Sequence, residues 1–203
     1  GAGKTSLFNS IAGEVTPDQG EIRLRGARIS GLGPFACARA GIARTFQVVR
    51  SFDSMSVMEN VMVGAFSHLS RARDASRLAL QTLDACGLVD RADTPAHSLT
   101  PPEKRRLEIA RALATNPSLL LLDEMLTGLT PTEALAGVQL IRDLRRRGVT
   151  IIMVEHVMEV LLPVIDHAVV LNLGRVLTIG RPEVVVRDPE VIRAYLGERY
   201  VAA

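Results

Sequence analysis

Cysteine is scarce in this 203-residue chain, which holds only Cys37 and Cys86. Two cysteines build no disulfide framework, and they match no paired Cys/His spacing of a metal site, so each reads as a small reduced core residue. A reducing, cytosolic compartment fits that usage. Charge of one sign is also lacking. The 24 Lys plus Arg nearly balance the 22 Asp plus Glu, and a net charge of +2 gives no strong field for drawing in nucleic acid or anionic lipid. Long hydrophobic runs are missing as well. Leu119 to Leu122 and Val149 to Val154 end in charge, far short of the ~20 apolar residues that span a bilayer. No signal peptide, internal repeat or low-complexity tract is visible. The chain opens on Gly1 rather than on an initiator methionine, so we expect it to start partway through a longer sequence.

What is present is ordinary globular usage, 47% hydrophobic and 23% charged, which excludes general disorder. The length suits one domain with an insertion. Thr5 to Ala12 has helical periodicity, and Glu21 to Arg25 alternates like a half-exposed strand of a small antiparallel element. Ser56 and Glu59 form a capping box before Val57, Val61 and Ala65, and Arg71 to Gly87 reads as a second amphipathic helix. The pair looks like an insert. A helical stripe of Leu107, Ala110, Leu113 and Ala114 lies between Glu103 and Ala114. Leu119 to Leu122 and Val149 to Val154 are continuous apolar runs, expected as parallel strands covered on both faces. Thr130, Pro131 and Glu133 open the helix between them and Gly148 closes it, giving a βαβ unit. Ala168 to Leu173 and Val176 to Ile179 flank Gly174 as a hairpin, and helical segments finish the chain.

The chemistry concentrates at a few positions. Gly1-Ala2-Gly3-Lys4-Thr5-Ser6 reads as the tail of a phosphate-binding loop running into a helix. Glycine lets main-chain N–H groups close on phosphate oxygens, the helix start adds a positive dipole end, Lys4 supplies a charge and Thr5 a hydroxyl for Mg²⁺. Alone, so short a motif equally describes a helix start after a tight turn. Asp123 and Glu124 follow four leucines and should sit at the carboxyl end of a buried strand, where open α/β sheets place ligands. There Asp123 suits the Mg²⁺ shell and Glu124 suits the water that attacks a γ-phosphate. The plainer alternative is a strand ending in solvated acids. His156 should emerge at the same edge as a γ-phosphate sensor, and Gln47 has an amide able to reach metal or water; His68, His97 and His167 read as surface residues.

In this order, Gly3-Lys4-Thr5-Ser6, Arg44-Thr45-Phe46-Gln47, Arg105-Arg106-Leu107-Glu108-Ile109-Ala110-Arg111, Leu122-Asp123-Glu124, Gly128-Leu129-Thr130-Pro131-Thr132-Glu133 and Glu155-His156 resemble ABC-type ATP-binding subunits over essentially the whole chain. Val154 to Val160 and the stretch from Gly180 to Gly197 look like the ATPase subunits of branched-chain amino acid importers. The resemblance implies an α/β P-loop NTPase fold with a mainly parallel core sheet, an antiparallel β edge and a helical subdomain over about 48–115 of a single domain 1–203. It implies ATP and Mg²⁺ as ligands and ATP hydrolysis as the activity. Gly1 to Ser6 would bind nucleotide, Thr5, Gln47 and Asp123 would hold metal, and Glu124, His156 and Gln47 would serve catalysis. The implied partners are transmembrane permease subunits, near the helix begun by Ser56, a second ATPase subunit in a head-to-tail pair and, indirectly, an extracytoplasmic solute-binding protein. Nucleic acid is not among them. The implied location is the cytoplasmic face of the inner membrane.

Three departures stand out against that pattern. Where the family signature reads Leu-Ser-Gly-Gly-Gln, this chain has Leu99-Thr100-Pro101-Pro102-Glu103. Proline has no N–H to offer a phosphate, and Glu103 puts an acid where the family has an amide. Thr100 keeps a hydroxyl donor, however, and proline before a helix is also an ordinary N-terminal device, so a structural reading of Pro101-Pro102 stands beside the weakened signature. A heteromeric pair is therefore expected, with another ATPase supplying the proper signature. The front of the phosphate loop, a strand and an adenine-stacking aromatic are absent before Gly1, which predicts an unpaired sheet edge and weak ATP binding. Thr130 stands where many members have Asp. The rival readings are a soluble ABC ATPase acting on ribosomes or nucleic acid, and a nucleotide-gated scaffold with little hydrolysis.

Overall fold

Four consecutive leucines followed by an acid form the strand around which the chain is organised. The computed structural model describes residues 1–46, 50–155 and 158–196. In chain order its elements are α1 (Lys4–Ile11), β1 (Arg23–Leu24), β2 (Ala27–Arg28), α2 (Pro34–Arg39), β3 (Ile42–Arg44), α3 (Val57–Ala65), α4 (Ala72–Ala85), α5 (Pro101–Leu113), β4 (Leu119–Asp123), α6 (Pro131–Arg146), β5 (Thr150–Val154), α7 (Met158–Leu161), β6 (Ala168–Asn172), β7 (Arg175–Gly180), α8 (Pro182–Val185) and α9 (Pro189–Leu196). The strands β3, β4 and β5 form one parallel sheet in that order, so their carboxyl ends share an edge.

Every residue of β4 is buried, as a central strand covered on both faces requires. Its side chains alternate between two cores. Leu119 and Leu121 join Phe8, Ile29, Cys37 and Ile42 on the α1 side. Leu120 and Leu122 join the larger cluster built by α3, α4, α5 and α6, with Val61, Leu83, Leu107 and Ile141 at its centre. The capping box at Ser56 and Glu59 forms as the sequence predicts, and Val57, Val61 and Ala65 are fully buried. Gly64 lets α3 approach α5, because a Cβ there would collide with the Arg111 carbonyl. Cys37 and Cys86 are free and buried, and burial pushes the Cys86 thiol up to about 12.

Three expectations are corrected. The run Val149 to Val154 is not covered on both faces: β5 starts at Thr150 and Ile152 is 38% exposed. The antiparallel parts form as expected, as the two hairpins β1–β2 and β6–β7, which among the described residues are hydrogen-bonded to none of the parallel strands. The first is far shorter than Glu21 to Arg25 suggested, because Arg25 and Gly26, both at positive φ, turn the chain after Leu24. Finally, α5 starts at Pro101 rather than Glu103, capped by Thr100.

Candidate functional site

α1 begins without a side-chain cap. Its N-cap, Gly3, lies at φ 95°, a left-handed conformation that suits glycine, and having no side chain it caps none of the first-turn N–H groups. The first-turn N–H groups and the positive end of the helix dipole are thus presented beside Lys4, Thr5 and Ser6, of which Thr5 and Ser6 are exposed. On the other flank the turn of the β6–β7 hairpin closes in: the Gly174 N–H donates to the Ala2 carbonyl at 3.2 Å.

The acidic pair lies where the sequence predicts, at the carboxyl end of β4. Asp123 is buried at 8% exposure, and its N–H donates to Thr45 Oγ1 at 3.3 Å. Glu124 is half-buried at φ 50°, and its N–H donates to the Val154 carbonyl at 2.9 Å. A left-handed glutamate costs about 1–2 kcal/mol. Gln47 and His156 lie outside the described residues. Glu155, which follows β5 at this edge, is buried and accepts the Leu126 N–H at 2.8 Å.

One residue that the sequence reading took only as part of a motif ties these pieces together. Arg44, the last residue of β3, pairs with Asp123 Oδ2 at 3.4 Å through Nη2, while its Nη1 donates to Asn9 Oδ1 at 2.6 Å and to Glu14 Oε1 at 3.2 Å. Its guanidinium carbon lies 5.8 Å from the Phe8 ring centre and 5.2 Å from that of Phe46. Asn9 is five residues into the helix that starts at Lys4, about 7.5 Å along its axis. The phosphate-loop helix and the acidic strand end therefore meet through one guanidinium. The available signal was strand register, since Arg44 pairs with Leu121, two residues before Asp123.

α5 forms the far wall of the cleft, whose lining includes Thr45, Phe46, Arg105, Glu108, Asp123 and Glu124. Burial pushes the Glu108 carboxyl up to about 7, against the opposing pull of the Phe46 N–H, the Arg111 and Arg105 charges and the Arg50 N–H. The Phe46 bond measures 3.1 Å. At the amino end of α5, Glu103 accepts from both the N–H and the Oγ1 of Thr100 at 2.8 Å and from Arg91 at 3.1 Å. Those Thr100 contacts lead in holding its carboxyl below the usual range. The Thr100 hydroxyl thus donates to the Glu103 carboxylate within the capping box.

An uncapped helix start with a lysine, opposite a buried acid held in a strand end, is a donor set that fits a nucleoside triphosphate with Mg²⁺. On a parallel α/β sheet this defines the class as a P-loop nucleotide-binding cassette. The family model for the ABC transporter matches residues 1–127, and one for the branched-chain amino acid ATP-binding cassette transporter matches 175–201. The chain is 40% identical to the high-affinity branched-chain amino acid transport ATP-binding protein BraF of Pseudomonas aeruginosa, over 98% of this chain and 84% of that one. It is 38% identical to the lipopolysaccharide export system ATP-binding protein LptB of Acidithiobacillus ferridurans, over 98% and 83%. The structure of MJ1267, an ATP-binding cassette of an ABC transporter, in its ADP conformation superposes with a TM-score of 0.86 at 28% identity, covering 97% of this chain and 84% of that one. The chain belongs to the ABC transporter family of ATP-binding proteins, and as such it is an ATPase that takes ATP with Mg²⁺. Among the described residues no helix is long and apolar enough to cross a membrane.

Proposed function

We propose that this chain powers the import of branched-chain or related amino acids, and that hydrolysis uses the residues gathered at the carboxyl edge of the parallel sheet. The observation that carries the site assignment is the Arg44 guanidinium, which joins Asn9 of the phosphate-loop helix to Asp123. The loop Gly1 to Ser6 binds the phosphates through its N–H groups, with Lys4 placing its charge on the β/γ oxygens. Thr5 and Asp123, with Gln47, would hold Mg²⁺, which supplies neutralisation of the phosphate charge when bound. Glu124 orients and polarises the attacking water, and His156 contacts the γ-phosphate. Glu124→Gln tests this: ATP turnover should fall by about 100-fold or more while nucleotide affinity is kept. Unaltered turnover would instead favour a nucleotide-gated scaffold.

The solute class rests on the likeness of the chain to BraF and on the carboxyl-terminal match at 175–201. A strain lacking the gene should lose uptake of leucine, isoleucine and valine. Intact uptake with defective lipopolysaccharide export would move the chain to the LptB-like alternative. In this reading residues 1–203 form one domain whose 48–115 portion is a helical subdomain facing the permease, at the cytoplasmic side of the membrane. The Thr100–Glu103 cap favours a mixed pair in which a different ATPase closes over this chain's phosphate loop. Turnover per subunit should therefore be higher for the mixed pair than for this chain alone, and equal turnover would count against the pairing.

A further inference from the structure

The backbone at Glu124 sits at φ 50°, where L-residues other than Asn and Asp are uncommon. The conformation is imposed by what holds the turn on either side of it. The Glu124 N–H is taken by Val154 of β5 at 2.9 Å. Two residues later the Leu126 N–H is taken by the buried Glu155 carboxylate at 2.8 Å. From the opposite side Arg105 of α5 reaches across with Nη1, donating to the Met125 carbonyl at 3.0 Å and to the Thr127 carbonyl. Met125 and Leu126 are themselves buried, so the turn is packed beneath as well as hydrogen-bonded above.

We propose that Arg105 is a positioning residue for ATP hydrolysis, its guanidinium locking the 124–127 turn against α5 so that Glu124 keeps the left-handed backbone that aims its carboxylate into the cleft. The inference rests on the assignment of Glu124 to the attacking water. Both bonds leave one nitrogen, Nη1, and arginine suits the task because the two N–H groups of that nitrogen are fixed in the guanidinium plane toward the carbonyls of residues 125 and 127, whereas the N–H groups of lysine rotate on a flexible stem. Arg105 and Glu108 lie on the same helix three residues apart and hold different loops, the one after β4 and the one after β3. α5 thereby grips both loops of the catalytic edge, one through a guanidinium and the other through a carboxyl group. The neighbouring Arg106 bonds the Gly87 carbonyl at 3.3 Å instead, away from that edge.

The test compares Arg105→Gln, Arg105→Lys and Arg106→Gln, in the protein purified with the subunits that accompany it. Four quantities are read: kcat, KM for ATP, affinity for a fluorescent ATP analogue, and amide hydrogen exchange of peptides covering 124–127. For Arg105→Gln we expect kcat to fall about 10- to 100-fold, with KM and analogue affinity within about twofold and faster exchange at 125–127. Arg105→Lys should be intermediate, and Arg106→Gln should match the parent. Retained kcat in Arg105→Gln overturns the proposal. So does a parallel loss of kcat and analogue affinity that follows a smaller folded fraction. If the parent protein itself turns over no ATP, the assignment of Glu124 fails, and the exchange data still decide whether Arg105 holds the turn, since unchanged exchange refutes it. Should Arg105→Gln not fold, the split between kcat and KM in Arg105→Lys carries the comparison.

Discussion

Burial of Glu108 between α5, on which it lies, and the segment after β3 pushes its carboxyl up to about 7 in the folded chain. In an unfolded chain a glutamate ionises near 4.3, so between those pH values the folded state binds more protons than the unfolded one. Stability must then fall as pH rises from about 4.5 to about 7 and level off above, by on the order of 3 kcal/mol from this group. Urea unfolding at pH 5 and pH 8 should show that loss in the parent and not in Glu108→Gln; parallel pH curves for the two proteins would refute it. Arg44 makes a second prediction. It and Asp123 are both about nine-tenths buried, so Arg44→Met leaves a carboxylate without its counter-charge and should cost about 3 kcal/mol, part of it recovered by adding Asp123→Asn. Equal stabilities of Arg44→Met with and without the second change would show that the pair is uncoupled. Asp123 and Glu124 were legible because four leucines announce a buried strand and the acids end it. Arg44 and Glu108 were not, since their partners lie 79 and 62 residues away and no local pattern encodes such a pairing.

At the scale of elements, helix starts were the most readable feature, and the one left open between two readings is instructive. Thr130-Pro131-Thr132-Glu133 was read as a capping box and forms one, with Glu133 accepting from the Thr130 N–H at 2.8 Å and from its Oγ1 at 2.7 Å. Thr100-Pro101-Pro102-Glu103 has the same pattern and makes the same bonds. Set against a glycine-rich family signature, those residues read either as a weakened loop or as a proline-led helix start, and the structure takes the second, with α5 beginning at Pro101. Their chemistry is that of a strong N-cap with proline at its first positions. Changing Thr100→Ser, Pro101→Gly, Pro102→Gly and Glu103→Gln together should therefore have two effects. Loss of the box and insertion of glycine in the first turn should destabilise α5 by about 1–2 kcal/mol, read by denaturant unfolding. Turnover by this chain without a second ATPase should rise, because N–H groups become free to face a nucleotide held by another copy. Unchanged stability would mean that the box contributes nothing to α5. Unchanged turnover would place the limitation elsewhere than in the signature.

Over the whole molecule, the βαβ unit followed from the alternation of apolar runs with a capped helix and the rest of the fold class from the family resemblance, while the environment of β5 followed from neither. An apolar run specifies a strand without specifying what meets its second edge, and Ile152 is accordingly part-exposed where full burial was expected. The same limitation applies to the two cores. Nothing local says that Leu119 and Leu121 face α1 while Leu120 and Leu122 face the helices, yet this division makes the carboxyl edge of the sheet the place where both bodies meet. A ligand seated there touches α1 on one side and the β4 turn on the other, so binding should stabilise the entire chain rather than one loop. At about 100 times its dissociation constant, ATP with Mg²⁺ should add about 2.7 kcal/mol, which for a chain of this length raises Tm by roughly 5–10 °C. Chelation by EDTA should remove part of that gain, and Lys4→Ala most of it, with the ligand-free Tm little changed because Lys4 lies on the surface side of the first turn, half-exposed. The measurement is a thermal scan of the parent and Lys4→Ala, with and without nucleotide. Equal shifts in both proteins would show that the triphosphate is bound somewhere other than the start of α1.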